Sequence, residues 1–331
     1  MKKLYYQIKK STDISKLPEI KGYNFEQKFN FDKFIKAYSN SGIQAQNLGT
    51  GINITNAMIR ENATIYLSFT SNMISSGMRE IIKFLVKKKQ IHVIVTSAGG
   101  VEEDILKART PFRVGDFNAK GENLLEAGVG RIGNIYATNE HYAYLEFFMK
   151  EVFEELIKSK EEITPTNICK FAGKLIEKKD GVDGYDKETS YLYWAYKNNI
   201  PVYCPGIVDG AIGDMAYFIK MKNKDLKIDV LADHQKIINF TLNSEKTGAI
   251  ILGGGTPKHY VLNANIFKEG LDYCVYVTTA TEFDASDSGG NQEEAISWAK
   301  IKPDALKAKI VGEASIIFPI LVASTFAKKE K

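Results

Sequence analysis

The chain has 331 residues, of which 44% are hydrophobic and 25% are charged, and its formal net charge is +4. This length allows one large α/β domain or two smaller ones, and the composition is ordinary for a soluble globular protein. No apolar run approaches the roughly 18 residues of a membrane span, and the lysines form no basic stripe interleaved with aromatic residues. We therefore expect no membrane span and no direct binding of nucleic acid.

The cysteines and the N-terminus indicate a reducing compartment. Cys169, Cys204 and Cys274 lie far apart in apolar or strand-like sequence, which argues against a disulfide framework and against a metal site. The N-terminal sequence MKKLYYQIKK has lysines without an apolar segment behind them, so we expect no signal peptide. These features together predict a cytoplasmic protein.

The N-terminal region is predicted to be an arm followed by helices. The first 22 residues show no clear period, and we expect a short N-terminal arm before a single domain over residues 23–331. Aromatic and aliphatic residues at helical spacing predict a helix that begins near Asn30 or Asp32 and closes at Gly42. A second helix is expected over residues 43–59.

Residues 64–96 have the pattern of a βαβ unit. Segments 64–69 and 91–96 are predicted strands, and the amphipathic segment 78–88 is the predicted helix between them. Small polar residues follow each strand, as SNMISSG after the first and SAGG after the second. Small residues let a ligand approach the backbone, and a helix N-terminus offers N–H groups to a phosphate. The fingerprint G-x-G-x-x-G is absent, so a dinucleotide here would be held by a variant loop.

Strands and helices continue to alternate along the rest of the chain. Further strands are predicted at residues 201–204, 227–230, 249–252, 273–277 and 308–311. Further helices are predicted at residues 142–160, from 165 onward and at 191–198. This alternation predicts a doubly wound, Rossmann-like parallel sheet flanked by helices. No linker or repeat interrupts the pattern, so we predict a single large α/β domain.

Residues 278–300 concentrate negative charge just past a predicted strand. Five carboxylates precede the first basic residue, Lys300. Ligands of open parallel sheets bind outside the carboxyl ends of the strands, so this acidic loop suggests a cationic ligand that Trp298 could cover with its aromatic face. The alternative is a solvated acidic turn that leads into a helix capped by Asn291. Composition alone does not separate the two interpretations.

Other predicted strand ends carry further candidate residues. Three successive carboxylates at residues 102–104 exceed what a helix start needs, and Asp209 and Asp214 follow the strand at 201–204. Among the four histidines, His259 is the best catalytic candidate because it lies beside the Gly-rich end of a strand.

Five motifs carry a resemblance to a known family. In chain order they are SNMISSG, VTSAGGVEED, DGAIGDM, GGGTPKHYVLNAN and TATEFDASDSGGNQEEAISWAK. Their combination closely resembles the deoxyhypusine synthases, and the similarity runs from about residue 22 to residue 326. Homospermidine synthases, which derive from that family, share the same motifs.

The resemblance implies an activity, a cofactor and roles for individual residues. It implies NAD-dependent transfer of the 4-aminobutyl group of spermidine, through a covalent imine on Lys300, to one lysine of the precursor of translation initiation factor 5A. His259 matches the proton-transfer histidine, and no metal is implied. The positions implied for spermidine are Glu102, Glu103, Asp214, Gly254, His259, Ala285, Ser286, Asp287, Glu294 and Trp298. The positions implied for NAD are Ser71, Asn72, Ser75, Ser97, Ala98, Gly99, Glu103, Asp209, Thr279, Ala280, Glu313 and Ala314.

The resemblance also implies a homotetramer, a dimer of dimers with its sites at the dimer interface. Two alternatives stay open: a homospermidine synthase that uses putrescine as acceptor, and a non-catalytic NAD-binding regulatory subunit. Four positions depart from the family pattern, with Ser97 in place of Thr, Ala285 and Ala299 in place of Gly, and Glu313 in place of Asp. The two alanines add a methyl group beside the polyamine and the lysine.

The spacing of two implied site residues sets a geometric condition. In a continuous helix, Trp298 and Lys300 would face nearly opposite sides. If both serve one site, the helix must end or bend near Ala299, or the bound substrate must wrap around the tip of the helix. We therefore predict that the helix ends within a residue or two of Lys300, consistent with Pro303.

Overall fold

A six-stranded parallel sheet forms the centre of the protein. The computed structural model describes residues 11–330. The strands in chain order are β1 Thr64–Phe69, β2 Val93–Thr96, β3 Arg113–Val114, β4 Val129–Ile132, β5 Ile135–Thr138, β6 Val202–Tyr203, β7 Thr247–Leu252, β8 Leu271–Thr278 and β9 Ile301–Val311. Six of them pair in the order β6-β2-β1-β7-β8-β9, and every pairing in this sheet is parallel.

Helices cover both faces of this sheet. In chain order they are α1 Phe31–Tyr38, α2 Ile43–Arg60, α3 Asn72–Ser75, α4 Met78–Lys87, α5 Ala98–Arg109, α6 Gly121–Glu126, α7 Asn139–Ser159, α8 Pro165–Lys178, α9 Tyr191–Asn198, α10 Ala211–Lys222, α11 Val230–Leu242, α12 Gly255–Ile266, α13 Gln292–Ser297 and α14 Ala314–Ser324. Successive strand residues point to opposite faces, and the buried ones form two hydrophobic clusters. Helices α11 to α13 pack on the cluster around Tyr66 and Tyr276, whereas α2, α4, α5, α7 to α10 and α14 pack on the cluster around Leu67 and Val275.

The strand order brings all six carboxyl ends to one edge of the sheet. The chain builds outward from β1 through β2 to β6, returns beside β1 as β7, and continues through β8 to β9. The reversal of direction between β1 and β7 creates the crevice in which such folds bind ligands. The prediction of a doubly wound parallel sheet flanked by helices is confirmed.

Two local predictions differ from the structure, and one feature of the structure was not predicted. Residues 227–230 form no strand, because the Asp229 carboxylate accepts a hydrogen bond from the Ala232 N–H at 2.9 Å and caps α11. The last strand begins seven residues earlier than expected, at Ile301 rather than residue 308, and includes Pro303, which an edge strand tolerates. A small antiparallel sheet in the order β3-β5-β4 was not predicted, since its strands have only two to four residues.

Both predicted N-terminal helices are present, although α1 ends at Tyr38 and Gly42 instead precedes α2. The Asn30 side chain accepts a hydrogen bond from the Lys33 N–H at 2.9 Å and caps α1. Residues 1–10 of the predicted arm lie outside the described residues, so the arm boundary at residue 22 and the single-domain assignment stay predictions. Within residues 11–330, each helix is too short or too polar to cross a membrane.

A buried ion pair ties α4, α5 and α9 together. Arg79 Nε donates to Asp104 Oδ1 at 2.6 Å, and both side chains are almost fully buried. The same carboxylate accepts hydrogen bonds from Ser190 Oγ at 2.6 Å and from the Leu192 N–H at 3.0 Å. Buried charges are tolerated when they are paired and hydrogen-bonded. Asp104 therefore fixes the start of α9 against α5.

We expect Asp104→Ala to lower the free energy of unfolding by about 3–5 kcal/mol, because it removes the close carboxylate and leaves the buried Arg79 guanidinium only the exposed Glu80 carboxylate at 3.9 Å. Urea denaturation at neutral pH measures this loss. The control is Glu188→Ala, which removes the exposed partner of Lys87 and should cost less than about 1 kcal/mol. An equal loss of unfolding free energy in the two variants would contradict the claim that the buried ion pair stabilises the fold more than the exposed one.

Candidate active site

The first half of the candidate site lies where β1 and β2 end. The Ser71 N–H donates to Ser97 Oγ at 3.1 Å and ties the two strand-end loops together. A Cβ atom on Gly99 would lie only 2.6 Å from the Cβ of Ser71. Glycine is therefore required here by close packing of the two loops, and the small polar residues of both loops lie together as the sequence suggests.

The three successive carboxylates of α5 point in three directions. α5 begins at Ala98, so these residues lie within the helix rather than at its start. Asp104 enters the core and pairs with arginine, as described above. Glu102 accepts a hydrogen bond from the Ile212 N–H at 3.1 Å, and Glu103 accepts one from Ser75 Oγ at 2.5 Å. Glu102 therefore faces the start of α10, whereas Glu103 faces the loop after β1.

Burial weakens the acidity of both glutamates. It raises the pKa of Glu103 to about 8, although the Ser75 hydroxyl opposes the shift. Burial also raises the pKa of Glu102, against the opposing Ile212 N–H, and the charges of Asp209 and Asp214 add to the rise. A cation that entered between these carboxylates would favour their ionised forms.

The residues around these loops fit a dinucleotide. The N-cap residues Ser97, Gly210 and Glu313 precede α5, α10 and α14, and none of them caps its helix with a side-chain hydrogen bond. Glu102 already occupies the start of α10, so the first N–H groups of α5 and α14 are the ones available at the carboxyl edge of the sheet, where helix N-termini bind phosphate. The buried hydroxyl Thr96 Oγ1 also lacks a partner. Uncapped N–H groups together with nearby carboxylates are groups that could hold the phosphates and hydroxyls of a dinucleotide.

The second half of the site lies in the opposite helix layer, between α12 and the segment after α13. Lys300 Nζ lies 3.2 Å from His259 Nε2, and His259 Nδ1 lies 3.1 Å from Asn263 Nδ2. His259 and Asn263 are four residues apart on α12, so one face of the helix presents both. The amine, the imidazole and the amide form a continuous hydrogen-bonded chain.

Two lysines hold the acidic loop after β8 by its backbone. Lys258 donates to the carbonyl oxygen of Asp287 and, at 3.3 Å, to that of Gly290. Lys309 donates to the carbonyl oxygen of Gly289 at 2.6 Å. Both lysines therefore fix the loop without occupying the Asp287 carboxylate.

The free carboxylate of Asp287 is a candidate partner for a ligand cation. Its Oδ2 atom is buried and has no hydrogen-bond partner, a state that costs free energy unless a donor arrives. Lys258 lies 4.6 Å from the centroid of the Tyr276 ring, and burial lowers the pKa of this lysine while Asp287 opposes the shift. An ammonium group bound at Oδ2 would satisfy the orphaned acceptor.

Trp298, Glu294 and Lys300 open on a small cleft beside this loop. The cleft has a volume of about 20 Å³ and is also lined by Lys258 and Asp287. This volume is close to the minimum that holds one water molecule. The Trp298 side chain is 66% exposed, so its ring has a face open to solvent. A single chain therefore forms one wall of this cleft without enclosing it.

The backbone turns sharply at two alanines, one in the acidic loop and one between Trp298 and Lys300, which line the cleft. Ala285 has φ 57° and Ala299 has φ 55°, in the left-handed region that costs about 1–2 kcal/mol for residues with a side chain and little for glycine. α13 ends at Ser297, one residue earlier than predicted, and the turn at Ala299 rather than Pro303 ends it. That turn lets Trp298 and Lys300 line one cleft, which meets the geometric condition set by their spacing.

Comparisons with known proteins decide the family. A family model described as deoxyhypusine synthase matches residues 33–325. The chain belongs to the deoxyhypusine synthase family. A probable deoxyhypusine synthase of Methanocaldococcus jannaschii is 46% identical over 327 residues, with 95% of this chain and 98% of that protein covered. The deoxyhypusine synthase of Musa acuminata is 41% identical, with 96% of this chain and 90% of that protein covered. A crystal structure from Entamoeba histolytica that bears the same family name has a TM-score of 0.62 and 29% identity, with 93% of this chain and 97% of that chain covered.

Membership of the deoxyhypusine synthase family confirms the resemblance and the prediction of an enzyme. The structure divides the residues that the resemblance implied between the two helix layers. In the layer of α5, α10 and α14 lie Ser71, Asn72, Ser75, Ser97, Ala98, Gly99, Glu102, Glu103, Asp209, Asp214, Glu313 and Ala314. In the layer of α12 and α13, or in the loop beside it, lie Gly254, His259, Ala285, Ser286, Asp287, Glu294, Trp298 and Lys300. Thr279 and Ala280 follow β8 between them, and the individual roles stay predictions.

Close packing within the chain accounts for the Gly-rich segment after β7. A Cβ atom on Gly254 would lie 2.3 Å from the Cα of Ser288, and Gly253 and Gly255 have φ 84° and 65°. Contact between Gly254 and spermidine therefore stays a prediction. Lys309 was not predicted as a site residue, although a charged residue between the buried Ala308 and Ile310 of an edge strand is a visible signal.

We expect the ligand-free enzyme to lose stability as the pH rises from about 4.5 to about 8. In this window the unfolded Glu103 carboxyl ionises, whereas the folded one stays protonated. The folded state binds more protons, so its free energy of unfolding falls by up to about 1.4 kcal/mol per pH unit. Urea denaturation at several pH values measures the slope.

Glu103→Gln should flatten this slope, because the amide keeps an oxygen for Ser75 and does not titrate. The control Glu154→Gln changes an exposed carboxyl on α7 and should leave the slope as in the wild type. The same slope in Glu103→Gln and in the wild type would show that Glu103 is ionised in the folded protein.

Proposed function

We propose that this deoxyhypusine synthase family member forms deoxyhypusine. In this reaction it transfers the 4-aminobutyl group of spermidine, through an imine on Lys300, to one lysine of the precursor of translation initiation factor 5A. NAD is the proposed cofactor. The observation that carries the proposal is the 3.2 Å contact between Lys300 Nζ and His259 Nε2, beside Trp298 and the acidic loop.

Lys300 can attack a substrate carbon only as a free amine. When Asn263 donates a hydrogen bond from its NH2 group to His259 Nδ1, the imidazole proton lies on Nε2. The Nε2–H group then donates a hydrogen bond to the lone pair of a neutral Lys300 amine. When Asn263 presents its carbonyl oxygen instead, Nδ1 carries the proton and Nε2 can take a proton from the ammonium form. The three groups therefore provide a path for the proton that Lys300 must lose and regain.

The charge around the cleft suits a polyamine. Spermidine carries ammonium groups along an apolar chain, and the Asp287 and Glu294 carboxylates lie on the same cleft as the open face of Trp298. Carboxylates form short, strong hydrogen bonds with ammonium groups, and an aromatic face attracts a cation at close range. These residues would orient the substrate so that its reacting carbon lies near Lys300.

The loops after β1, β2 and β9 would hold NAD. Ser71, Ser97 and the uncapped starts of α5 and α14 would bind its phosphates, and the Glu313 carboxylate would accept from a ribose hydroxyl. When bound, NAD supplies the acceptor for the hydride that leaves the substrate and the donor that later returns it.

We further propose that each complete site takes residues from two chains of a homotetramer. Glu102 and Asp214 lie in one helix layer and Lys300 in the other, with the sheet between them. The cleft beside Lys300 has a volume of only about 20 Å³, and a catalytic site must exclude water to strengthen its electrostatic interactions. A second copy that presents its Glu102 and Asp214 over the first copy's Trp298 would supply both the missing carboxylates and the cover.

A homospermidine synthase would use the same lysine and carboxylates, so the acceptor must be identified directly. The protein is incubated with NAD and spermidine, with either the factor 5A precursor or putrescine, and the products are followed by mass spectrometry. An aminobutyl adduct on one lysine of the factor supports the proposal. Homospermidine without that adduct assigns the alternative, and NAD binding without any product indicates the regulatory subunit.

Lys300→Arg should abolish transfer, because a guanidinium stays protonated and forms no imine. With spermidine and NAD, borohydride should trap a mass increase on the wild-type peptide that contains Lys300 and none on the variant. The matched control is Lys302→Arg, since Lys302 pairs with Asp272 at 2.6 Å instead of lining the cleft. Turnover of Lys300→Arg at the rate of this control would exclude the covalent mechanism.

Two inactive variants should complement each other if the site is shared. Lys300→Ala and Asp214→Ala chains, mixed by refolding or co-expression, should regain about a quarter of wild-type activity, because half the two-fold dimers are mixed and each holds one intact site. Each variant alone should stay inactive. No recovery, with mixed dimers present by native mass spectrometry, would place both residues in one chain's site.

A further inference from the structure

Three residues of α5 form a stripe that faces the segment after β1. Gly99, Glu103 and Lys107 are spaced four residues apart, so they lie above one another on one side of the helix. Gly99 packs on Ser71, and Glu103 accepts the hydrogen bond from Ser75. Lys107 completes the stripe at its C-terminal end.

Lys107 binds the end of α3 through three carbonyl oxygens. Its Nζ atom donates to Ile74 O at 2.7 Å, to Ser75 O at 3.1 Å and to Ser76 O at 3.0 Å. An ammonium group has three donors, and these three contacts use all of them. The aliphatic part of the side chain is partly buried, and the ammonium lies 5.9 Å from the centroid of the Phe112 ring.

α3 needs such a partner because it is very short. Its four residues, Asn72–Ser75, make a single helical turn, and isolated turns of this length are unstable since helix nucleation is unfavourable. The carbonyl groups at a helix C-terminus carry partial negative charge, which a cation stabilises. The same turn carries Ser71 at its N-cap and Ser75 at its end.

We propose that Lys107 is a positioning residue that holds residues 71–76 against α5, so that Ser71, Asn72 and Ser75 keep the arrangement needed to bind NAD. This inference rests on the proposed function for the identity of the ligand, but the local effect on residues 71–76 does not. Lys107 acts through the backbone of α3, and it places the hydroxyl groups beside the uncapped start of α5.

The test compares Lys107→Met, which keeps the chain length and removes the charge, with Lys107→Arg and with the control Lys178→Met. Lys178 pairs with Glu155 on an exposed surface. Amide hydrogen exchange of the ligand-free protein should be at least about tenfold faster at residues 72–77 in Lys107→Met, with the rates in β7 unchanged, because local opening then requires less free energy. Lys107→Arg should restore much of the protection, and Lys178→Met should match the wild type.

The Kd for NAD, measured by calorimetry, should rise about tenfold in Lys107→Met, since the binding segment must then be ordered on binding. Unchanged exchange at residues 72–77, or equal acceleration there and in β7, would overturn the inference. Faster local exchange with an unchanged Kd would also overturn it, because the segment would not govern cofactor binding. A wild type that binds no NAD would refute the cofactor part of the proposed function, and with it the NAD role given to Lys107, whereas the exchange rates would still decide whether Lys107 holds the segment.

Discussion

The parallel sheet is the constraint on which the site depends. Because all six strands run in one direction, their carboxyl ends share one edge, yet the helices that follow them descend on opposite faces. Lys300 therefore meets His259 in the layer of α12, while Glu102 meets the start of α10 in the other layer. No change of side-chain rotamer brings residues from opposite faces of a sheet together. A site that uses both Lys300 and Glu102 therefore requires the surface of a second chain. The symmetry of a two-fold dimer supplies that surface twice.

The contacts of two lysines explain how the acidic loop after β8 is held in place while the Asp287 carboxylate keeps an unpaired oxygen. If Lys258 and Lys309 paired with the loop's carboxylates, an incoming polyamine would have to displace them. They donate instead to the backbone carbonyl groups of residues 287, 289 and 290. Lys309 also lies 3.5 Å from Glu282, which is 57% exposed and screened by solvent. Asp287 thus keeps an unpaired oxygen at the cleft, and the cost of that orphan is offset when a ligand ammonium binds.

Alternating strands and helices were sufficient to predict the doubly wound sheet, because buried parallel strands are continuous apolar runs. The same criterion failed at residues 227–230, where Asp229 caps a helix, and at β3 to β5, whose strands are too short for a period. The candidate residues at strand ends were visible as small or acidic positions. The sequence did not show that these residues divide between two faces of the sheet, because this division follows from the path of α5 and α12 in three dimensions. Lys107 carried no signal either, because its partners are backbone carbonyl groups.

Two titratable side chains on α5 hold residues 71–76 from one side. Glu103 and Lys107 are one turn apart and both contact α3 or its end. Burial raises the pKa of Glu103 and lowers that of Lys107, so it moves both groups towards their uncharged forms. A cation beside Glu103 would favour the ionised form of this carboxyl group. The negative charge of Glu103 raises the pKa of Lys107 and so favours its ammonium form. An ammonium binds carbonyl groups more strongly than an amine does, so the charged form of Lys107 holds residues 71–76 more firmly than the neutral form.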